Sequence, residues 1–359
     1  MQLSLEFSPI VIRMRRQLVT AAETYFERSG FRVELRDPSG AVGLGEAMPL
    51  EAFRTEGLAT VAERLAGCAE ALGTRALPED VGGITALLGS LPLGGAPASR
   101  HAVECALLDL LAQWRGVSIA ALLGPASPSV RVNALLLERE PARLAEEAEA
   151  AARAGYPVLK IKVGGPLETD VRRLEAVRRT AGGDVGLRID SNGGWTREAA
   201  AAAIDALVPF GLELCEQPAA PDDLGAFGWL RWRGVRIAAD ESMAIQGAPG
   251  RLIASKGVDA LVLKPMVLGG LLPCLSIAEQ ARAAGVGCYV TSAIEGPVGR
   301  LAAVHLAAAV GSQLPHGLAV GPLLEPAPGE ELLVPVRGSI AVPSAPGLGW
   351  HSSSRGASA

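Results

Sequence analysis

From residue 130 onward, short apolar runs alternate with alanine-rich stretches of helical period, and this rhythm leaves few folds open. The candidate strands are residues 130–136, 158–162, 187–190, 212–216, 236–239, 260–264, 287–291 and 318–320. The helices between them include 142–154, 167–180, 197–207, 249–256, 271–284 and 299–310. Repeated strand–helix alternation implies a parallel sheet, because each parallel pair needs a crossover helix. Eight such strands in under 200 residues suit a closed (β/α) barrel better than an open doubly wound sheet. No GxGxxG follows a first strand, which also weighs against the open sheet.

The block before it has a different texture. Residues 1–50 read as strands: FRVELR at 31–36 alternates, and Pro38-Ser39-Gly40 is a turn signal before 42–46. Residues 55–90 and 99–123 read as helices, the latter carrying apolar residues at helical spacing up to Gly116. A chain of 359 residues has room for one barrel plus such a smaller domain. We therefore expect an α+β domain over 1–125, a barrel over 126–321 and a C-terminal return to the first domain over 322–350. Within that return, 331–337 and 338–342 are expected to add strands to the N-terminal block, and residues 351–359 to be disordered.

Composition excludes some functions. The formal net charge of −5, with no dominant basic cluster, argues against nucleic acid or a membrane surface as partner. No stretch of 18 or more apolar residues is free of charges and breakers, and the N-terminus lacks a signal-peptide pattern. Five scattered cysteines without a CxxC pair fit reduced, mostly buried thiols and a cytoplasmic location.

Three acids carry the chemistry. Asp190 ends LRID, Glu216 ends LELCE and Asp240 follows RIAA. Glu216 follows Asp190 by 26 residues and Asp240 follows Glu216 by 24, the length of one strand–helix unit. The three carboxylates thus come from neighbouring strands and face the mouth where barrel enzymes place their sites. Any one of them alone reads as a helix cap or a solvated loop acid. Three together repel one another unless a cation intervenes, and oxygen-only ligation suits Mg²⁺, with Mn²⁺ as a substitute.

Lysines bracket the trio. Lys160 and Lys162, in LKIK, share one face of their strand, and Lys264 ends ALVLK beyond Asp240. A surface-lysine reading is weak, because all three terminate apolar strands. Burial and a neighbouring cation would lower a lysine pKa toward a useful range. Strand order puts Lys162 and Lys264 on opposite sides of the metal. One can take a proton while the other steadies the anion or serves the other face. A divalent metal on the substrate carboxylate would stabilise the charge that develops when the neighbouring proton leaves. A small-molecule carboxylate is therefore the expected substrate.

With these residues in view, the sequence resembles the enolase superfamily and, within it, the muconate-lactonizing-enzyme subgroup. The matching stretches include GLGEAMPL (43–50), LKIKVGG (159–165), LRIDSNGGW (187–195), CEQPAAPDD (215–223), AADESM (238–243), LVLKPMVLGG (261–270) and TSAIEGPVG (291–299), in family order over almost the whole chain. The resemblance implies a modified (β/α)7β TIM-like barrel, an α/β fold, with an α+β capping domain built from the N-terminal block and the C-terminal tail. It implies Asp190, Glu216 and Asp240 as Mg²⁺ ligands, Lys162 as general acid/base and Lys264 as the opposite lysine. It has Lys160 orient the carboxylate or lower the pKa of Lys162, places Asn192 near the site, and puts Glu241 in contact with the opposite lysine. Members of the family often assemble, so a homo-oligomer is an expectation too.

The subgroup narrows by subtraction. The seventh-strand stretch GCYVTSAIEG has no histidine, whereas mandelate-racemase-like members use one there; His305 reads as core and His316 as a structural residue before the last strand. HGLAVGPLL lacks the Asp-x-Asp with which dipeptide epimerases bind the substrate ammonium. The sequence is most similar to the o-succinylbenzoate synthases, lyases of menaquinone biosynthesis. N-succinylamino acid racemases and muconate cycloisomerases stand as alternatives. TSAIEG departs from the serine-rich version of many such synthases.

Ser292, Ile294 and Glu295 are expected to line the pocket. Gly296 and Gly299, at the start of the next helix, read equally as a tight turn or as N–H donors for a distal substrate carboxylate. The segments 18–27 and 48–54 match two loops that close over the mouth, making Leu18 and Phe53 candidate apolar contacts. A catalytically silent binding barrel is the competing class, but every polar site position is intact. A nicotinamide-dependent oxidoreductase lacks its glycine fingerprint.

Overall fold

A computed structural model describes residues 2–19 and 24–350. Residues 351–359, the expected disordered tail, lie outside the described residues, and so does the side chain of Leu18.

The chain opens with strands β1 (Ser4–Val19), β2 (Thr24–Arg36) and β3 (Val42–Ala47), an antiparallel meander. Helices α1 (Leu58–Leu72), α2 (Val81–Ser90), α3 (Pro97–Arg115) and α4 (Ile119–Leu123) follow. The sheet and α3 pack very closely. A Cβ on Gly45 would lie 1.9 Å from the Ala102 carbonyl oxygen, and one on Gly43 2.1 Å from that of Ala106. Only glycine at both positions of GLG lets the helix lie against the strand. α3 is buried nearly all round, as expected of a helix enclosed between layers.

The barrel is built from β5 (Ala134–Leu136), β6 (Val158–Lys162), β7 (Gly186–Asp190), β8 (Leu212–Glu216), β9 (Arg236–Ala239), β10 (Ala260–Leu263) and β11 (Gly287–Val290), all parallel, after a short β4 (Ser129–Arg131). The crossovers are α5 (Pro141–Arg153), α6 (Leu167–Ala181), α7 (Arg197–Leu207), α8 (Leu224–Leu230), α9 (Ala248–Ser255), the short α10 (Pro265–Leu268) with α11 (Leu271–Ala283), and α12 (Pro297–Val310). Single bridges from Val132 to His316 and from Thr291 to Gly317 join the two edges, so residues 316–317 close the ring. The register descends around it. Lys162 pairs Asp190 and Asp190 pairs Glu216, but Glu216 then pairs Ala238, Ala238 pairs Ala260 and Ala260 pairs Gly287. Closing a sheet requires this stagger.

The α/β fold with an N-terminal cap is as expected, and three local expectations are corrected. The run 130–136 splits into β4 and β5, of which β5 joins the seven-stranded barrel sheet and β4 does not. The expected strand 318–320 contributes bridges two residues earlier instead. In the tail, residues 330–333 form a 3-10 turn, and β12 (Ser339–Ala341) pairs antiparallel with β4 rather than with the N-terminal sheet. Contact of the tail with the cap runs through single groups: Glu325 N–H donates to the Arg13 carbonyl (2.9 Å) and Leu348 N–H to Asp109 Oδ1 (2.8 Å). Among the described residues, no helix is long and apolar enough to cross a membrane, and the five cysteines are free and buried.

Candidate active site

Alternation along the strands turns every second side chain inward. Lys160 and Lys162, Arg188 and Asp190, Leu214 and Glu216 are such pairs, and the last of each sits at the C-terminal edge. Asp240 and Lys264 follow β9 and β10 directly. Asp190 and Glu216 have no exposed surface, and Asp240 and Lys264 have little.

The acids and amines interleave. Lys160 Nζ donates to Glu216 Oε2 (2.7 Å) and lies 2.8 Å from Asp190 Oδ2. Lys162 Nζ donates to Asp190 Oδ2 (2.8 Å) and to Asn192 Oδ1 (2.6 Å). Lys264 Nζ donates to Asp240 Oδ1 and lies 4.5 Å from the centre of the Phe53 ring. Among the described residues, no three acid, imidazole or thiol groups converge as a ready-made metal cluster. Spacing alone suggests convergence, but here the lysine amines stand between the carboxylates and neutralise them.

Charge and burial compete throughout. Burial pushes the Lys160 pKa down, but without a cation the charges of Asp190, Glu216 and Asp240 outweigh it and hold it above the ordinary lysine value. For Asp190, burial raises the pKa, but Lys160 and Lys162 outweigh it and hold the carboxyl below the usual range. Burial, with the other acids adding to it, lifts Glu216, Asp240 and Glu241 above theirs.

The donor set still fits a hard divalent cation. Three buried carboxylates face one mouth, and Glu216 Oε1 is buried without a hydrogen-bond partner. The support around them is built to hold them. Gln217 Oε1 accepts from the backbone N–H of Asp240 (2.9 Å) and of Ser242 (3.2 Å), and Gln217 Nε2 donates to Ser242 Oγ (2.9 Å). Asn192, Gln217 and Ile294 have positive φ (49°, 40° and 61°), so strained backbone gathers at the mouth.

A cavity of about 360 Å³ opens above. Lys160, Lys162, Asp190, Asp240, Glu241 and Lys264 line one end. The rest is largely apolar, with Phe53, Leu135, Ile294, Ala319, Val320 and Leu323. Ser292 and Ile294 line it as expected, and Ser292 Oγ accepts from Ile294 N–H (2.9 Å).

Other expectations fail here. Glu295 is buried away from the cavity, where its Oε2 accepts from Ala293 N–H. The Gly296 N–H donates to Glu46 Oε1 of the cap. The N-terminus of α12 is thus already met by a carboxylate, so the Gly296 N–H is not offered to a substrate. A Cβ on Gly299 would fall 2.6 Å from Glu295 Cγ, so that glycine serves packing. Glu241 does not hydrogen-bond Lys264; its Oε1 accepts from Asn192 Nδ2 (2.8 Å), and Lys264 is taken by Asp240.

Among the lining residues that sequence reasoning did not single out, Arg28 and Tyr289 stand out. Arg28 of β2 reaches the cavity from the cap and donates to the Met48 carbonyl (3.1 Å). Tyr289 of β11 donates its hydroxyl to Glu216 Oε2 (2.8 Å). Period-2 alternation put Tyr289 on the inward face, the one signal available for it. His305 and His316 are buried structural groups: His305 Nδ1 accepts from Ala120 N–H (3.3 Å) and His316 Nδ1 from Val290 N–H (2.9 Å).

The comparisons with known proteins agree with this architecture. Residues 143–354 match the family described as enolase C-terminal domain-like. The L-Ala-D/L-Glu epimerase of Bacillus subtilis (strain 168) is 31% identical over 310 residues, 85% of this chain and 84% of its own. The N-succinyl-L-Arg/Lys racemase of Bacillus cereus is 31% identical over 216 residues, 59% of this chain and 58% of its own. A dipeptide epimerase from Enterococcus faecalis V583, solved with Mg and the dipeptide L-Leu-L-Tyr, superposes with a TM-score of 0.88 at 29% identity, covering 97% of this chain and 99% of that one. The chain belongs to the enolase superfamily.

Proposed function

We propose that the chain is a Mg²⁺-dependent enzyme that removes the proton next to a substrate carboxylate, and that it dehydrates 2-succinyl-6-hydroxy-2,4-cyclohexadiene-1-carboxylate to o-succinylbenzoate. The observation that carries the proton-transfer reading is the placement of two amines, Lys162 and Lys264, in one cavity with buried acids beside each. Asp190, Glu216 and Asp240 would hold Mg²⁺, which when bound supplies positive charge where negative charge develops on the carboxylate.

Each residue has its part. Lys162, in its neutral form, takes the α-proton. Asn192 and Asp190 fix its amine, so that it keeps its aim. Lys264 stays cationic and steadies the enediolate from the other side. Lys162 then returns its proton to the departing hydroxyl on the same face, and aromatisation drives the elimination. The apolar wall and Phe53 exclude water from the reacting end.

The choice of substrate rests on the cavity wall. Among the described lining residues the acids are Asp190, Asp240 and Glu241, all at the lysine end. Among the described lining residues there is no further carboxylate to take a substrate ammonium. Arg28 of the cap also lines the cavity, with its Nη2 donating to the Met48 carbonyl (3.1 Å). A second reading, racemisation of an N-succinylamino acid, is favoured by Lys264, since two amines on opposite faces suit proton removal and return. The test is to supply the cyclohexadiene with Mg²⁺ and follow loss of diene absorbance, with N-succinylamino acids assayed in parallel by solvent deuterium exchange. Turnover of the diene supports the dehydratase. Exchange on N-succinylamino acids with an inert diene replaces it by the racemase.

A further inference from the structure

Tyr289 lies inside the barrel with Leu214, Ala238, Ala260 and Val262. The alanines of β9 and β10 leave room for its ring, which is 1% exposed. Its hydroxyl therefore reaches across from β11 to β8 and donates to Glu216 Oε2 (2.8 Å). Lys160 Nζ donates to the same oxygen (2.7 Å). Two donors on one oxygen fix the rotation of a carboxylate. The other oxygen, Glu216 Oε1, is buried and has no hydrogen-bond partner. Below the ring, the Arg188 guanidinium lies 4.6 Å from its centre. Arg188 is in turn tied to Glu213 Oε2 and the Pro315 carbonyl, each at 2.8 Å. The barrel floor thus supports the ring, and the ring supports the acid.

We propose that Tyr289 is a positioning residue: with Lys160 it occupies Glu216 Oε2 and so presents Oε1 to a divalent cation. This rests on reading Asp190, Glu216 and Asp240 as the ligand set. A group that orients a ligand from behind typically changes metal affinity by about 10–100-fold when removed.

Tyr289→Phe deletes the hydroxyl and keeps the ring over Arg188. Mn²⁺ binding to substrate-free protein, followed by electron paramagnetic resonance, is the readout, with thermal unfolding of the metal-free proteins beside it. We expect about tenfold weaker Mn²⁺ binding in Tyr289→Phe, a changed line shape of bound Mn²⁺, and little change in the metal-free melting temperature. Equal Mn²⁺ affinity and line shape in parent and variant would overturn the proposal, and a lower melting temperature with unchanged Mn²⁺ binding would do the same by assigning Tyr289 to packing alone. The parent is also compared with Glu216→Gln. If that substitution leaves Mn²⁺ affinity untouched, the ligand set itself is wrong and the proposal falls with it.

Discussion

The amine of Lys264 sits 4.5 Å from the centre of the Phe53 ring, so a cap residue touches one of the three lysines of the barrel mouth. Phe53 ends a short turn, Glu51–Phe53, directly after β3 and its loop. A cation held against an aromatic face in a desolvated site is worth about 1–2 kcal/mol. Phe53→Ala should therefore lower kcat/KM about tenfold, while far-ultraviolet circular dichroism and Mn²⁺ binding stay as in the parent. Unchanged kcat/KM would separate the cap from the chemistry.

Asn192 joins the two sides of the mouth, accepting from Lys162 and donating to Glu241. Asn192→Ala should lower kcat by about 10–100-fold with a smaller effect on KM, because it loosens the aim of the base rather than substrate binding. A loss confined to KM would assign Asn192 to binding.

The cap–barrel contact at Glu46 predicts a pH effect on stability. Burial pushes the Glu46 pKa from 4.5 up to about 7, with Arg32 opposing and Glu295 adding to the rise. Its Oε1 accepts from Gly296 N–H, and its Oε2 is buried without a partner. A folded-state pKa above the unfolded value means a stabilising contribution present below pH 4.5 and lost as pH rises to about 7. The loss is at most about 3 kcal/mol. In Glu46→Gln it is absent. Urea unfolding at pH 5 and pH 8 should therefore show the variant gaining on the parent at the higher pH. Glu104, also pushed up to about 7 by burial, and the buried histidines contribute alike to both proteins and cancel. A difference independent of pH would mean that Glu46 titrates normally.

Val320 belongs to the apolar lining of the cavity. Val320→Asp puts a carboxylate into the apolar lining of the cavity that, in our proposal, receives the dianionic substrate. Like charges brought together in an interface cost several kcal/mol, so kcat/KM for the dianionic substrate should fall by about 100-fold or more. Steady-state kinetics on the folded variant decide it, and parent-like kinetics would place the distal group elsewhere.

Much of this was legible in the sequence, for a physical reason. A strand–helix unit of nearly constant length forces Asp190, Glu216 and Asp240 to recur at one end of the barrel, and strand alternation puts Lys160 and Lys162 on the same face. What was not legible depends on contacts between distant segments. The sequence left the Gly296 N–H equally a turn or a substrate donor, and only the fold brings Glu46 to it from 250 residues away. β12 finds β4 rather than the N-terminal sheet, and nothing local in either short strand records that choice. The reach of Tyr289 depends on alanines in two other strands. The acids seemed to need a metal to coexist, whereas the lysines already lie among them.

The central claim is that Lys162 takes the proton next to the substrate carboxylate. Lys162→Ala, compared with the parent in D₂O and Mg²⁺, tests it most directly by following the α-proton of bound substrate or a slow analogue by NMR. The account predicts that exchange or elimination falls by at least about 10³-fold while Mn²⁺ still binds. Exchange at the parent rate in that variant would contradict it.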